Sequence, residues 1–363
     1  MQELRKRSLY VFGSNGECQL GISAADIVDI PTLAPDFAIL ENIRSIKGGD
    51  NHTIVLFADT RVMAVAGSNR KGQCLYTTHG ITEEEPRVEQ FQTVHRGAVF
   101  IAATCESTAQ IIPHPQTGQG QLNIHGQGHW GELGYGDDVT VFSGFASGRP
   151  VIDPLPGRVA DFAGGVWHYV AVLQDGSVYG WGKARLGQLG SKFSGKVTSP
   201  TKLDGIPFKS VRVTCGKDFT YLVGDSSTGE HIVLGKDKFN IISDMPANVS
   251  GWKDIGATWH AIVVLFEDGK LVAWGRNTMW QLIPPGLPLI EKMAVGSEHV
   301  LALTKNGKLI SWGWGKHGNC GDLSHLQEKV KNDMVSGFWN EIYLAGKVDF
   351  IGAGYCTSFV VVS

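Results

Sequence analysis

No stretch of this chain stays apolar for anything near the ~18 residues that a membrane-crossing helix needs. No apolar segment follows the basic start Arg5-Lys6-Arg7, so nothing reads as a secretory leader. The six cysteines (Cys18, Cys74, Cys105, Cys215, Cys320 and Cys356) never stand as C-x-x-C, which excludes a zinc ribbon and suits a reducing compartment. The net charge is −3 and no broad basic stripe is present, so phosphate-backbone binding has no electrostatic basis. Neither a Gly-x-x-x-x-Gly-Lys-Ser/Thr phosphate loop nor His-Glu-x-x-His occurs, and no local motif supports a Ser-His-Asp set. A stand-alone enzyme therefore has nothing to rest on. The chain reads as non-enzymatic, with no cofactor or metal of its own, and as cytoplasmic with the nucleus as a second location.

What the chain does have is glycine, 47 residues of it, and much of that glycine is periodic. A short strand ends on an aromatic or apolar residue plus glycine, and a polar turn with a Gly-Gln-Leu-Gly-like tail follows. The fullest copy is Val178-Tyr-Gly-Trp-Gly-Lys-Ala-Arg-Leu-Gly-Gln-Leu-Gly190, and the pivotal glycines are Gly13, Gly67, Gly126, Gly182, Gly235, Gly275 and Gly313. A second motif precedes the last six: Gly49-Asp-Asn-His52, Gly165-Val-Trp-His168, Gly296-Ser-Glu-His299 and, with one substitution, Ala257-Thr-Trp-His260. Gly216-Lys-Asp-Phe219 and Cys105-Glu-Ser-Thr108 are degenerate copies. Asp175-Gly176, Asp268-Gly269 and Asn306-Gly307 then supply two-residue hairpins. Repetition at roughly 40 to 60 residues means an array of similar units.

The seventh unit is split. The chain ends on a Gly-turn and strand (Val348 to Ser363) and begins on the glycine-ended strand Leu9-Tyr-Val-Phe-Gly13. Pairing these halves closes a ring and removes exposed sheet edges. The expected fold is all-β: a seven-bladed β-propeller over residues 9–363, closed by its terminal segments in one blade, after a basic tail at 1–8. Its core is distributed between blades, so 363 residues form one domain. Ser324-His-Leu-Gln327 reads as a capping box opening a short helix within residues 323–344.

Strand direction gathers the Gly-x-x-His turns and the loops after the pivotal glycines on one face, here called the top. Trp181, Trp274 and Trp312 hold the repeated strand position and read as packing. Trp130, Trp280 and Trp314 sit in the post-glycine loops, and Trp167 and Trp259 precede turn histidines, so these five form a candidate protein-binding face. Glu106, Asp218, Glu298 and Glu132 join them, a set suited to a basic or metal-bearing partner. His52, His168, His260 and His299 share one slot in different blades, which suits turn bracing rather than a joint metal site. His129 and His317 stand outside that slot beside Trp130 and Trp314, and with Cys320 they are the residues able to approach a partner's metal.

The turn, the Asp-Gly hairpin and the Trp-Gly…Gly-Gln-Leu-Gly tail together resemble the regulator of chromosome condensation (RCC-type) repeat family over nearly the whole chain. The opening Tyr10-Val-Phe-Gly-Ser-Asn-Gly16, Gly216-Lys-Asp-Phe219, Gly296-Ser-Glu-His299 and the doubled Trp312-Gly-Trp-Gly-Lys-His-Gly-Asn-Cys-Gly321 are similar to the fungal alpha-tubulin suppressor (killer-toxin-insensitivity) group within it. That resemblance implies a heterodimer with a small CSL-type zinc/iron electron carrier. It also implies support for diphthamide synthesis on elongation factor 2 and for Elongator-dependent tRNA wobble-uridine modification. It assigns the loop Trp314 to Cys320, with His317 and Asn319, to docking that partner. The wider family implies a rival reading, guanine-nucleotide exchange on a Ran-like GTPase.

Overall fold

In several units the whole second strand is buried on both faces. Every residue of His52–Phe57, His168–Leu173 and His299–Thr304 is buried. A strand like that needs cover on both sides, and stacked blades provide it. The computed structural model describes residues 7–35, 42–58, 62–74, 86–95, 97–142 and 152–363. Arg5 and Lys6 of the basic tail lie outside them.

Among the described residues the strands form seven antiparallel sheets. Blade 1 holds Val348–Ala353, Thr357–Val362, Ser8–Asn15 and Ala25–Leu33. Blade 2 holds Ile43–Gly48, His52–Phe57, Val62–Ser68 and Arg87–His95. Blade 3 holds Phe100–Ala103, Ser107–Pro113, Gly120–Gln127 and Val141–Phe142. Blade 4 holds Val159–Gly164, His168–Leu173, Val178–Lys183 and Lys196–Lys202. Blades 5 and 6 have three described strands each: Arg212–Cys215, Phe219–Val223 and His231–Gly235, then Trp252–Ala257, Ala261–Phe266 and Leu271–Gly275. Blade 7 holds Ile290–Val295, His299–Thr304, Leu309–Trp314 and Met334–Ile342. The fold is the expected seven-bladed propeller.

Closure is as expected. Ser8 to Gly13 pair with Val362 to Thr357, and Arg7 Nε lies 2.9 Å from Asp349 Oδ2. The propeller thus begins at Ser8, one residue before the expected boundary. Apolar clusters span blade boundaries: Ile54 with Ile101, Phe219 with Ile262, and Leu301 with Val360. Indoles rivet the same boundaries. Trp181, Trp274 and Trp312 donate through Nε1 to the carbonyls of Glu132, Ile241 and Leu282 in the preceding blade, at 2.9–3.0 Å.

Two local expectations change. The Asp-Gly and Asn-Gly hairpins are three-residue loops, because Leu173 N–H donates to Ser177 O and only the glycine takes positive φ. Residues 323–344 hold a single 3₁₀ turn, Ser324–Leu326, with Leu323 at its N-cap and no side-chain cap from Ser324. Asp322 Oδ1 accepts from Ser324 N–H there at 2.9 Å, and Met334–Ile342 becomes the blade's outer strand.

Candidate functional site

The top face is built on the turns. Blade 7 shows why the motif needs its glycines. A Cβ on Gly313 would lie 2.5 Å from the Glu298 carbonyl oxygen at φ +113°, and a Cβ on Gly296 would collide with the His299 ring. The His299 ring in turn bolts the next blade: Ser358 Oγ donates to Asn319 O at 2.8 Å, so His299 donates from Nε2 to Ser358 at 3.0 Å. His168 bonds Thr220 of blade 5 in the same way, at 3.0 Å. Burial pushes His52 and His168 down to about 4 and His299 to about 3, so all three stay neutral.

His260 does not share that slot. Strand register pairs Gly275 with Ala261, where blades 2, 4 and 7 pair their pivotal glycine with the slot histidine. Blade 3 is shifted the other way, Gly126 pairing with Ser107 rather than the expected Thr108, so its turn is Thr104 to Ser107. With no ring at the slot, the turn's first position no longer has to be glycine, and it is Thr258, whose Oγ1 accepts from the N–H groups of His260 and Ala261. His260 moves onto the top face, edge-on to Phe239 at 5.1 Å. Burial, with Lys238, Arg276 and Lys217, lowers it to about 4.

The turns are also laced to one another by backbone bonds: Asp50 N–H to Cys105 O, Cys105 to Val166, Lys217 to Trp259, Trp259 to Ser297, and Ser297 to Tyr355. On this belt stands a row of rings and cations. Arg185 lies 5.4 Å from the Trp130 centroid. Lys183 Nζ lies 5.5 Å from Trp130 and 4.2 Å from Trp167, and 3.2 Å from Asp218 Oδ1. Lys217 Nζ bridges Trp167 (5.6 Å) and Trp259 (5.2 Å), and Tyr355 closes the row edge-on to Trp259 at 5.6 Å. Each cation–ring contact is worth about 0.5–1 kcal/mol at an exposed site, and together they hold half-buried indoles in place. Beside the row, a cavity of about 270 Å³ is lined by Leu186, Phe219, Ile241 and Phe239 and edged by Lys236 and Lys238. Phe239 is 36% exposed and held at φ +61°.

The structure thus brings together Trp130, Trp167, Trp259 and Asp218. Trp314 and His317 form a second pair, edge-on at 5.1 Å, on blade 7. Other expected contact residues are not at the surface. Trp280 is 2% exposed and donates to Glu298 Oε2 at 3.2 Å. Glu298 is 8% exposed, and burial raises its pKa despite Arg276 nearby. Asn319 is 2% exposed and donates to the Trp314 carbonyl, and the Cys320 thiol is buried and pushed up to about 12. Glu132 is buried as well, accepting the Trp130 N–H at 2.7 Å, and burial lifts it to about 7. Glu106 remains exposed, and its charge helps raise the pKa of Asp50, second to burial.

This corrects the expected charge. Three of the four expected acids (Asp218, Glu298 and Glu132) are buried or paired, whereas Arg185, Lys217, Lys236 and Lys238 have no carboxylate partner among the described residues. Sequence reasoning missed these cations, Phe239 and Tyr355. A signal for the lysines existed, since Lys183 and Lys217 stand in the same loops and turns as the indoles. His129 is exposed and contacts Gln127. No group of three His, Cys, Asp or Glu able to hold a metal occurs among the described residues. No helix there is long and apolar enough to cross a membrane.

Comparison with known proteins agrees with this geometry. The regulator of chromosome condensation (RCC1) repeat matches residues 8–56 and 175–223, and a second description of that repeat matches 159–188 and 290–319. An RCC1 repeat-containing protein of Schizosaccharomyces pombe is 29% identical, over 98% of each chain. The secretion-regulating guanine nucleotide exchange factor of Mus musculus is 26% identical over 86% of this chain and 75% of that one. The crystal structure of human WBSCR16 superposes with a TM-score of 0.77 at 16% identity, covering 99% of each chain.

Proposed function

We propose that this RCC1-like propeller protein is a non-enzymatic adaptor that docks a small CSL-type zinc/iron protein on its top face. In that role it supports diphthamide synthesis on elongation factor 2 and Elongator-dependent tRNA wobble-uridine modification. The observation that carries the reading is the row Trp130–Lys183–Trp167–Lys217–Trp259–Tyr355. Rings already held by cations lose little freedom on binding, which lowers the cost of association. The unpaired cations around them call for an acidic partner surface, and the Phe239 cavity for one apolar side chain within it.

The test is affinity purification, with iron and zinc measured on what is recovered. A small metal-bearing protein should co-purify. Trp167→Ala should weaken the complex by over about 2 kcal/mol, the scale of an interface anchor. Recovery of no such protein sinks the reading.

The rival is guanine-nucleotide exchange, which the name of the mouse relative favours. Accelerated nucleotide release from a Ran-like GTPase by the purified chain would put it first.

A further inference from the structure

The innermost strand of each blade is a sheet edge, so one row of its peptide groups faces the central channel unpaired. Strand register sets the seven inner strands level with one another. At the level two residues before the turn, six blades supply alanine, threonine or glycine, from Ala102 round to Gly352. Blade 2 supplies Lys47. The one long side chain at this level is therefore a cation. It lines both the axial cavity of about 160 Å³ and the wider one of about 420 Å³ at its mouth. Its field reaches the Cys215 thiol on blade 5.

At the far end of the channel Tyr355 Oη donates to Gly165 O at 3.4 Å, a bridge from blade 1 to blade 4. The open mouth lies away from the tryptophans. There Arg212 spans Asp161 (3.1 Å), from the lining of the axial cavity, and Asp254 (3.0 Å), the carboxylate that lines the mouth. Lys292 donates to the Asp349 carbonyl at 2.7 Å, a neutral acceptor. Arg44 rests 4.9 Å from the Phe100 centroid. Four lining cations (Arg44, Lys47, Arg212 and Lys292) face one lining carboxylate, Asp254; counting Asp161 of the axial cavity as well leaves a surplus of two positive charges.

We propose that this mouth binds a small phosphate-type dianion, with Lys47 reaching it from within the channel and Lys292 and Arg212 at the rim. A surplus of that size favours a compact, multiply charged acceptor over a single carboxylate. The site is independent of the top face and of the partner docked there.

Isothermal titration calorimetry with inorganic phosphate, a dianion at about pH 7.5–8, tests it. Saturable one-to-one binding is expected, weakening with added salt. Lys47→Gln should raise Kd by about tenfold or more, the loss expected for one charge-assisted contact, and Lys292→Gln by several-fold. Lys192→Gln, on an exposed lysine paired with Asp204, should leave binding unchanged. Melting curves confirm that each variant is folded. Absence of saturable heat overturns the proposal. So does binding that survives both Lys47→Gln and Lys292→Gln, or that falls equally in Lys192→Gln.

Discussion

His168 and His299 are buried neutral, and their pKa values of about 4 and 3 lie below the 6.5 of a free histidine. Between those values the unfolded chain binds protons that the native chain refuses. Stability is therefore held above pH 6.5 and lost as pH falls toward 4. Melting temperature should drop across that window, and His299→Gln should be less stable at pH 7 yet fall less steeply. An equal slope in the variant would show that other groups govern the acid limb. Glu132 works in the opposite sense. It stands where Gln19, Gln73 and Gln188 each accept the N–H two residues back, and burial raises it from 4.5 to about 7. Its contribution is present below pH 4.5 and fades as pH rises through 7. Glu132→Gln should match the wild type at pH 5 and exceed it by on the order of 1–3 kcal/mol at pH 8, read from denaturant melts. These roles were partly legible. The slot histidines were read as braces from their spacing alone. The burial of Trp280, Glu298 and Asn319 was not, because placing a loop on a face does not say which side chains fold back beneath it.

At the scale of one turn, ring and glycine are coupled, so blade 6 offers a test. Ala261→His should put an imidazole against Thr258 and face Val300 in blade 7 rather than a hydroxyl. A cost of about 2–3 kcal/mol is expected from overpacking and an unmet donor. Adding Thr258→Gly should recover part of it, since the steric half of the conflict is gone. Purely additive losses in denaturant melts would refute the coupling. The misplacement of His260 in the sequence has the same origin. The repeat shows a histidine near its expected place, while register is fixed by what pairs with Gly275, and that is Ala261. The second strands and the positions of the hairpins, though not their three-residue length, were legible because their residue types leave little choice. Residues 324–327 failed as a helix because Asp322, two residues before the expected cap Ser324, satisfies the Ser324 N–H, and the chain is needed from Met334 onward to pair with Leu309–Trp314.

For the whole molecule, closure makes the choice of chain ends arbitrary. Ser8 lies opposite Val362, and every residue of Thr357–Val362 is buried, so that strand depends on its neighbour for cover on its open edge. A circular permutant should therefore fold when the old ends are joined by a short Gly-Ser linker and new ends opened in the exposed turn Asp225–Thr228. Its cooperative melt should lie within about 5 °C of the parent, because every blade boundary is kept. Deleting Ser8–Asn15 removes a central strand from blade 1 and leaves the Thr357–Val362 edge open. That variant should aggregate or elute as oligomers on size exclusion. A permutant that fails to fold while the deletion stays monomeric would mean that the ring is held by its inter-blade rivets alone. Trp181, Trp274 and Trp312 serve other boundaries, and His299 and Asn319 tie blade 7 to Ser358 on the C-terminal half of blade 1, so the strand exchange is the bond expected to hold the N-terminal half where the ring closes.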